Sequence, residues 1–174
     1  MGRHPSRVAL LATSSALALL VGLEQSAGAC TVVTNPALPY TQSGDTCVHF
    51  TVSPATSGNV TSTGAVNAVG PGIPSLIGIF VDTGVSLNGS ITNAGTMTVG
   101  SGQGILVNQS TITGSIVNST GALISSNGYG INVSGSSALP ANATVGGSII
   151  NNGTINSVNS GIQVHNGRVP AERQ

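Results

Sequence analysis

Charge is what this sequence lacks most. Only 5% of the 174 residues are charged, and lysine is absent. Arg3 and Arg7 sit at the N-terminal edge, and Arg168 and Arg173 near the C-terminal one. Between Cys30 and Gly167 there is no Lys or Arg, and the only acids are Asp45 and Asp82. A nucleic-acid partner requires a basic patch that displaces counterions, so none is expected. Aromatic residues are scarce too, with two Phe, two Tyr and no Trp. That leaves nothing for the aromatic girdles of a membrane β-barrel.

The same shortages bear on catalysis. Glycoside hydrolysis uses two carboxyl groups facing one bond, and the repetitive part of the chain holds only Asp82. Asp82 lies in FVDTG, a context in which Asp commonly bonds its own backbone at a turn. His165 is the only base candidate near the end of the repeats, and no motif ties it to a serine nucleophile. The two cysteines and His49 are too few for a zinc site, and His49 reads as a strand residue of VHFTV. The expectation is therefore no enzyme, no catalytic or metal residues, no cofactor and no small-molecule substrate.

What is present is glycine, 25 of them, together with Ser, Thr and Asn, all favouring turns and strands over helix. Such a composition borders on low complexity. The hydrophobic fraction of 39%, carried by Val, Ile, Leu and Ala, is regularly spaced and argues for a packed core.

The first 29 residues have the parts of a secretory signal. Arg3, His4 and Arg7 form a positive start, Val8 to Leu23 an apolar run, and Ser26-Ala27-Gly28-Ala29 a cleavage site of small residues. The apolar run is shorter than the roughly 20 residues of a membrane span. Cleavage after Ala29 would make Cys30 the first mature residue, which raises two possibilities. A lipoprotein signal wants Leu three positions before the cysteine, where this chain has Ala27. A disulfide to Cys47, in the oxidising compartment that export implies, is the favoured alternative.

Two phrases then repeat in step. The first is GNVTSTGAV, GSITNAGTM, GSIVNSTGALI and GSIINNGTI, which aligns Val60, Ile91, Ile116 and Ile149. The second is Gly-Ile-x-Val, whose isoleucines are Ile79, Ile105, Ile131 and Ile162, spaced 26, 26 and 31 residues apart. Alternation of apolar and small polar residues is a strand period. Three or so short strands per unit predict one coil of a β-solenoid, stacked on the next at about 4.8 Å. Asn93, Asn118 and Asn151 follow the stacked isoleucines by two residues, with Ser62 in the first copy. They are expected to form a buried amide ladder rather than a binding row. The longer last spacing is assigned to a bulge at GSSALPANATVGG, residues 135–147. Thr-x-Thr pairs at 61/63, 96/98 and 111/113 fall at three phases of the repeat, so no ice-binding plane is expected.

These repeats, ITNAGTM, IVNSTGALI and IINNGTI, each followed by Gly-Ile-x-Val, resemble the β-helix repeats of bacterial autotransporter passenger domains. The resemblance covers residues 58–167, and nothing here resembles the family's C-terminal translocator barrel. It implies export through the periplasm to the cell surface, with the export machinery and host or neighbouring cell surfaces as partners, and adhesion or a structural stalk as the role. The chain is then either the N-terminal fragment of a longer passenger or a free secreted, or lipid-anchored, self-associating solenoid. The expected organisation is a signal peptide at 1–29, an N-terminal cap or lead-in at 30–57, solenoid repeats at 58–167 and a polar tail at 168–174. The fold class expected is all-β, a parallel β-helix of about four coils.

Overall fold

The computed structural model describes residues 30–69, 77–137 and 142–170. The signal segment, 1–29, lies outside the described residues. The chain opens with three strands, β1 (Thr31–Thr34), β2 (Tyr40–Gln42) and β3 (Thr46–Phe50). β4 (Val60–Ser62) and β5 (Ala65–Ala68) follow. A four-strand pattern then repeats three times. It runs first through β6 (Ile77–Val81), β7 (Ser86–Leu87), β8 (Ile91–Asn93) and β9 (Thr96–Val99). The second pass is β10 (Gln103–Asn108), β11 (Thr111–Ile112), β12 (Ile116–Asn118) and β13 (Leu123–Ser126). The third is β14 (Ile131–Ser134), β15 (Ala143–Val145), β16 (Ile149–Asn151) and β17 (Thr154–Ser157). β18 (Ile162–His165) and β19 (Gly167–Arg168) begin one more.

Every strand pairs in parallel with its counterpart one coil away, which makes the protein a parallel β-solenoid of about four turns. It has four faces. The Gly-Ile-x-Val face runs β1-β3-β6-β10-β14-β18, and the asparagine face β2-β4-β8-β12-β16. A third face runs β5-β9-β13-β17 and a narrow fourth one β7-β11-β15-β19. The narrow face is the difference from three strands per coil. Its strands are two or three residues long, too short to show alternation in sequence.

The stack is held in register by its apolar columns. Val60, Ile91, Ile116 and Ile149 pair successively, as do Ile79, Ile105, Ile131 and Ile162. All but the last member of each column are fully buried. Each such side chain contributes roughly 1.5–3 kcal/mol by leaving water. Because inward and outward positions alternate, a slip of one residue would send a whole column outward. The column also extends before residue 58. Val48 pairs with Ile79, and Tyr40 with Val60, so residues 30–57 are themselves rungs of the stack.

Glycine at the head of each Gly-Ile-x-Val strand makes close packing possible. Gly78, Gly104 and Gly130 sit beneath side chains of the third face, Met97, Ile124 and Ile155 respectively. A Cβ on Gly104 would stand 2.6 Å from Gly130 O and closer still to Ile124 Cγ2. A separate need arises at the corner after β12, where Ala122 N donates to Ser119 O and Gly121 takes φ of 78°. That conformation suits glycine.

The bulge expected at 135–147 is narrower than its sequence suggests. Residues 143–145 are β15, paired with β11 on one side and with β19 on the other. Of the residues between β14 and β15, 138–141 lie outside the described residues. The expected polar tail also begins inside the stack, since Arg168 belongs to β19 and Val169 packs against the core.

Gly104→Ala should destabilise the fold by about 1–3 kcal/mol, the usual result of forcing atoms into a filled interior. Thermal melting followed by circular dichroism checks it; an unchanged midpoint would contradict the close approach of the two faces.

Candidate functional site

The most organised polar array in the protein is internal. Gln42, Ser62, Asn93, Asn118 and Asn151 occupy one inward column of the asparagine face. Asn93 Nδ2 donates to Asn118 Oδ1 at 2.9 Å, and Asn118 Nδ2 donates to Asn151 Oδ1 at 2.8 Å. The same two amide nitrogens reach Leu123 O and Thr154 O at 3.2 Å, tying the corner to the next coil. Asn93 and Asn118 are fully buried. A buried amide costs stability unless its groups are bonded, and here donors and acceptors run along one direction. Their geometry is that of a structural spine, closed to solvent at Gln42, Ser62, Asn93 and Asn118 and exposed at Asn151.

The spine weakens toward its start. Ser62 is too short to reach Asn93, and its Oγ has no protein partner. Gln42 Nε2 donates to Thr46 O, while its Oε1 is likewise without one. Gln42 escaped the sequence reading because its coil is short and lacks the repeated phrase.

Cys30 and Cys47 are joined by a disulfide, with Cα atoms 5.6 Å apart. Cys47 is paired with Val32, so the bridge ties the first two rungs of the Gly-Ile-x-Val face together. A sulfur in that bond has no valence left for a lipid thioether. Nearby side chains cover the same end. Asp45 Oδ1 accepts from Asn67 N at 3.1 Å and Asn67 Nδ2 at 2.8 Å, against the edge strand β5. Asn35 Oδ1 accepts from Thr51 N at 2.7 Å and Val52 N at 3.2 Å. Thr56 bonds both the N–H and the carbonyl of Leu38, which is buried. A sequence signal for this cap would have been hard to find, because each contact joins residues more than fifteen apart.

Among the described ionisable residues, His49 and Asp82 meet across adjacent coils. Asp82 Oδ1 accepts from Thr83 N at 2.7 Å, the turn geometry its context suggests. Its other oxygen lies 3.5 Å from His49 Nε2, and His49 stacks on Phe80 with ring centroids 4.5 Å apart. His165, on β18, is three rungs beyond the strand that precedes Asp82, roughly 14 Å at parallel-strand spacing. Among the described residues no three His, Cys, Asp or Glu side chains are grouped as metal ligands.

The Thr-x-Thr pairs fall on different faces: Thr61 on the asparagine face, Thr96 and Thr98 on the third face, Thr111 on the narrow one. Register does create one threonine column, Thr41, Thr61 and Thr92, which continues as Val117 and Ile150.

The fold and ladder define a class, a disulfide-capped parallel β-solenoid. No protein-family profile, curated protein or solved structure matches the chain.

Two substitutions test the spine. Asn118→Ala removes one donor and one acceptor from the column's middle and should cost about 2–4 kcal/mol. Ser62→Asn supplies the missing donor to Asn93 Oδ1, which otherwise accepts only from Gly95 N at 3.3 Å, and should stabilise by about 1 kcal/mol. Equal and opposite shifts in melting temperature are not required, but their signs are.

Proposed function

We propose that this chain is an exported, non-enzymatic surface protein of the autotransporter-passenger type, acting as a stalk or an adhesive face. The observation that carries the reading is the register of the coils. Two independent phrases recur in one order and land on the same two faces at every turn. Such a stack grows by repetition, resists bending because each coil pairs along four faces, and suits a spacer that holds a surface away from a cell.

Two further features favour export. The leader has the positive start, apolar run and small-residue site of a signal peptide. The Cys30–Cys47 bridge belongs to an oxidising compartment. The outer faces carry hydroxyl and amide groups with almost no charge, so recognition of another cell's surface would rest on hydrogen bonds and shape.

Expressing the whole chain in a Gram-negative bacterium, followed by fractionation and N-terminal sequencing, tests the reading. The expected product begins at Cys30 and is found outside the cytoplasm. A cytoplasmic chain that keeps residues 1–29 would overturn it.

A further inference from the structure

The amide spine is bonded side chain to side chain from Asn93 to Asn151 and interrupted at its head. Three buried polar atoms without a protein partner lie at that head: Ser62 Oγ, Gln42 Oε1 and Thr46 Oγ1. Ser62 stands between Gln42 and Asn93 in the column, and all three residues are fully buried. Gln42 Nε2 is turned aside to Thr46 O. Among protein groups, Asn93 Oδ1 accepts only from Gly95 N at 3.3 Å, which leaves its second lone pair unused.

The later rungs show which bonds belong at this level. Each asparagine nitrogen donates twice, to the next Oδ1 of the column and to a backbone carbonyl of the third face. That carbonyl is Leu123 O for Asn93 and Thr154 O for Asn118. Leu123 and Thr154 share one register position, and in the coil of Asn93 that position belongs to Thr96. A donor at the level of Ser62 would therefore serve Asn93 Oδ1 and the Thr96 carbonyl.

We infer that this is the binding site of a single structural water, held between Ser62 and Asn93 where the later rungs place an amide nitrogen. The water accepts from Ser62 Oγ and donates to Asn93 Oδ1 and Thr96 O. Serine ends at the position of an asparagine Cγ, and the part of asparagine it lacks has roughly the bulk of one water. Three hydrogen bonds are what a buried water usually makes. Immobilising it costs little beside leaving a buried hydroxyl and amide oxygen unbonded. The hydrogen count also selects water, since the site offers one hydroxyl and two acceptors, and water brings one acceptor and two donors. A monovalent cation would meet the same oxygens. The column carries no acid, however, and an ion desolvated without a counter-charge is costly. The water extends the spine by one rung, into the coil of Ser62. The inference does not rest on the passenger reading, because an internal site of this kind serves a solenoid of any function.

A crystal structure of the exported protein, together with water–amide cross-relaxation measured by NMR, tests it. The expected density is one solvent peak within hydrogen-bond distance of Ser62 Oγ, Asn93 Oδ1 and Thr96 O. In solution the Gly95 N–H, which shares Asn93 Oδ1, should show a cross-peak to long-lived water. Ser62→Asn should abolish both signals with the circular dichroism unchanged, because its own amide nitrogen then donates to Asn93 Oδ1. Absence of either signal in the unsubstituted protein overturns the proposal. A solvent peak that survives Ser62→Asn also overturns it, since such a water is not the one that replaces the amide. A peak ringed by oxygens at metal–oxygen distances and strengthened by soaking in rubidium overturns it in favour of a monovalent cation.

Discussion

Everything in this protein depends on one constraint, the in-register pairing of each coil with the next. A parallel ladder satisfies the backbone groups of one strand only by presenting equivalent groups to another. Once the coils are in register, like side chains stack on like, and each column must be uniformly tolerable in its place. Inward columns are mostly Ile and Val, with Phe50, Leu87 and Met97 taking single places in them. The asparagines form an exception that proves stable because an amide donates to one neighbour and accepts from the other. Ser62 shows what happens when one member is too short: the chain of bonds stops.

The same constraint sorts the polar surface. With outward positions also in column, a charge on every coil would stand at strand spacing from its own copies and repel them. A nearly uncharged coil region avoids that repulsion. Asp82 is used within its own turn, and His165 lies several rungs away.

Legibility in the sequence followed repetition. Gly-Ile-x-Val and Ile-x-Asn recur at every turn, so their strands, their register and the amide spine could be read from spacing alone. The narrow face could not, since Ser86–Leu87 and Thr111–Ile112 are too brief for a period of two to appear. The first rungs were read as a lead-in because β1 to β3 form a shortened coil without the repeated phrase, and Gln42 joined the spine unseen. A cap or lead-in was expected there, but the contacts that form it could not be read. Asp45 and Asn67, or Asn35 and Thr51, meet only after the coil has closed. Such contacts have no local signature.

Cross-linking by register tests the central claim most directly. Thr98 and Ser125 are outward neighbours in adjacent coils of the third face. At parallel-strand spacing, about 4.8 Å, cysteines placed there fall within disulfide range. Thr98 and Leu123, two residues out of register, would be separated by roughly 8 Å, beyond that range. Under mild oxidation Thr98→Cys with Ser125→Cys should cross-link within one chain, and Thr98→Cys with Leu123→Cys should not. Efficient cross-linking of the second pair, with failure of the first, would contradict the register on which the fold rests.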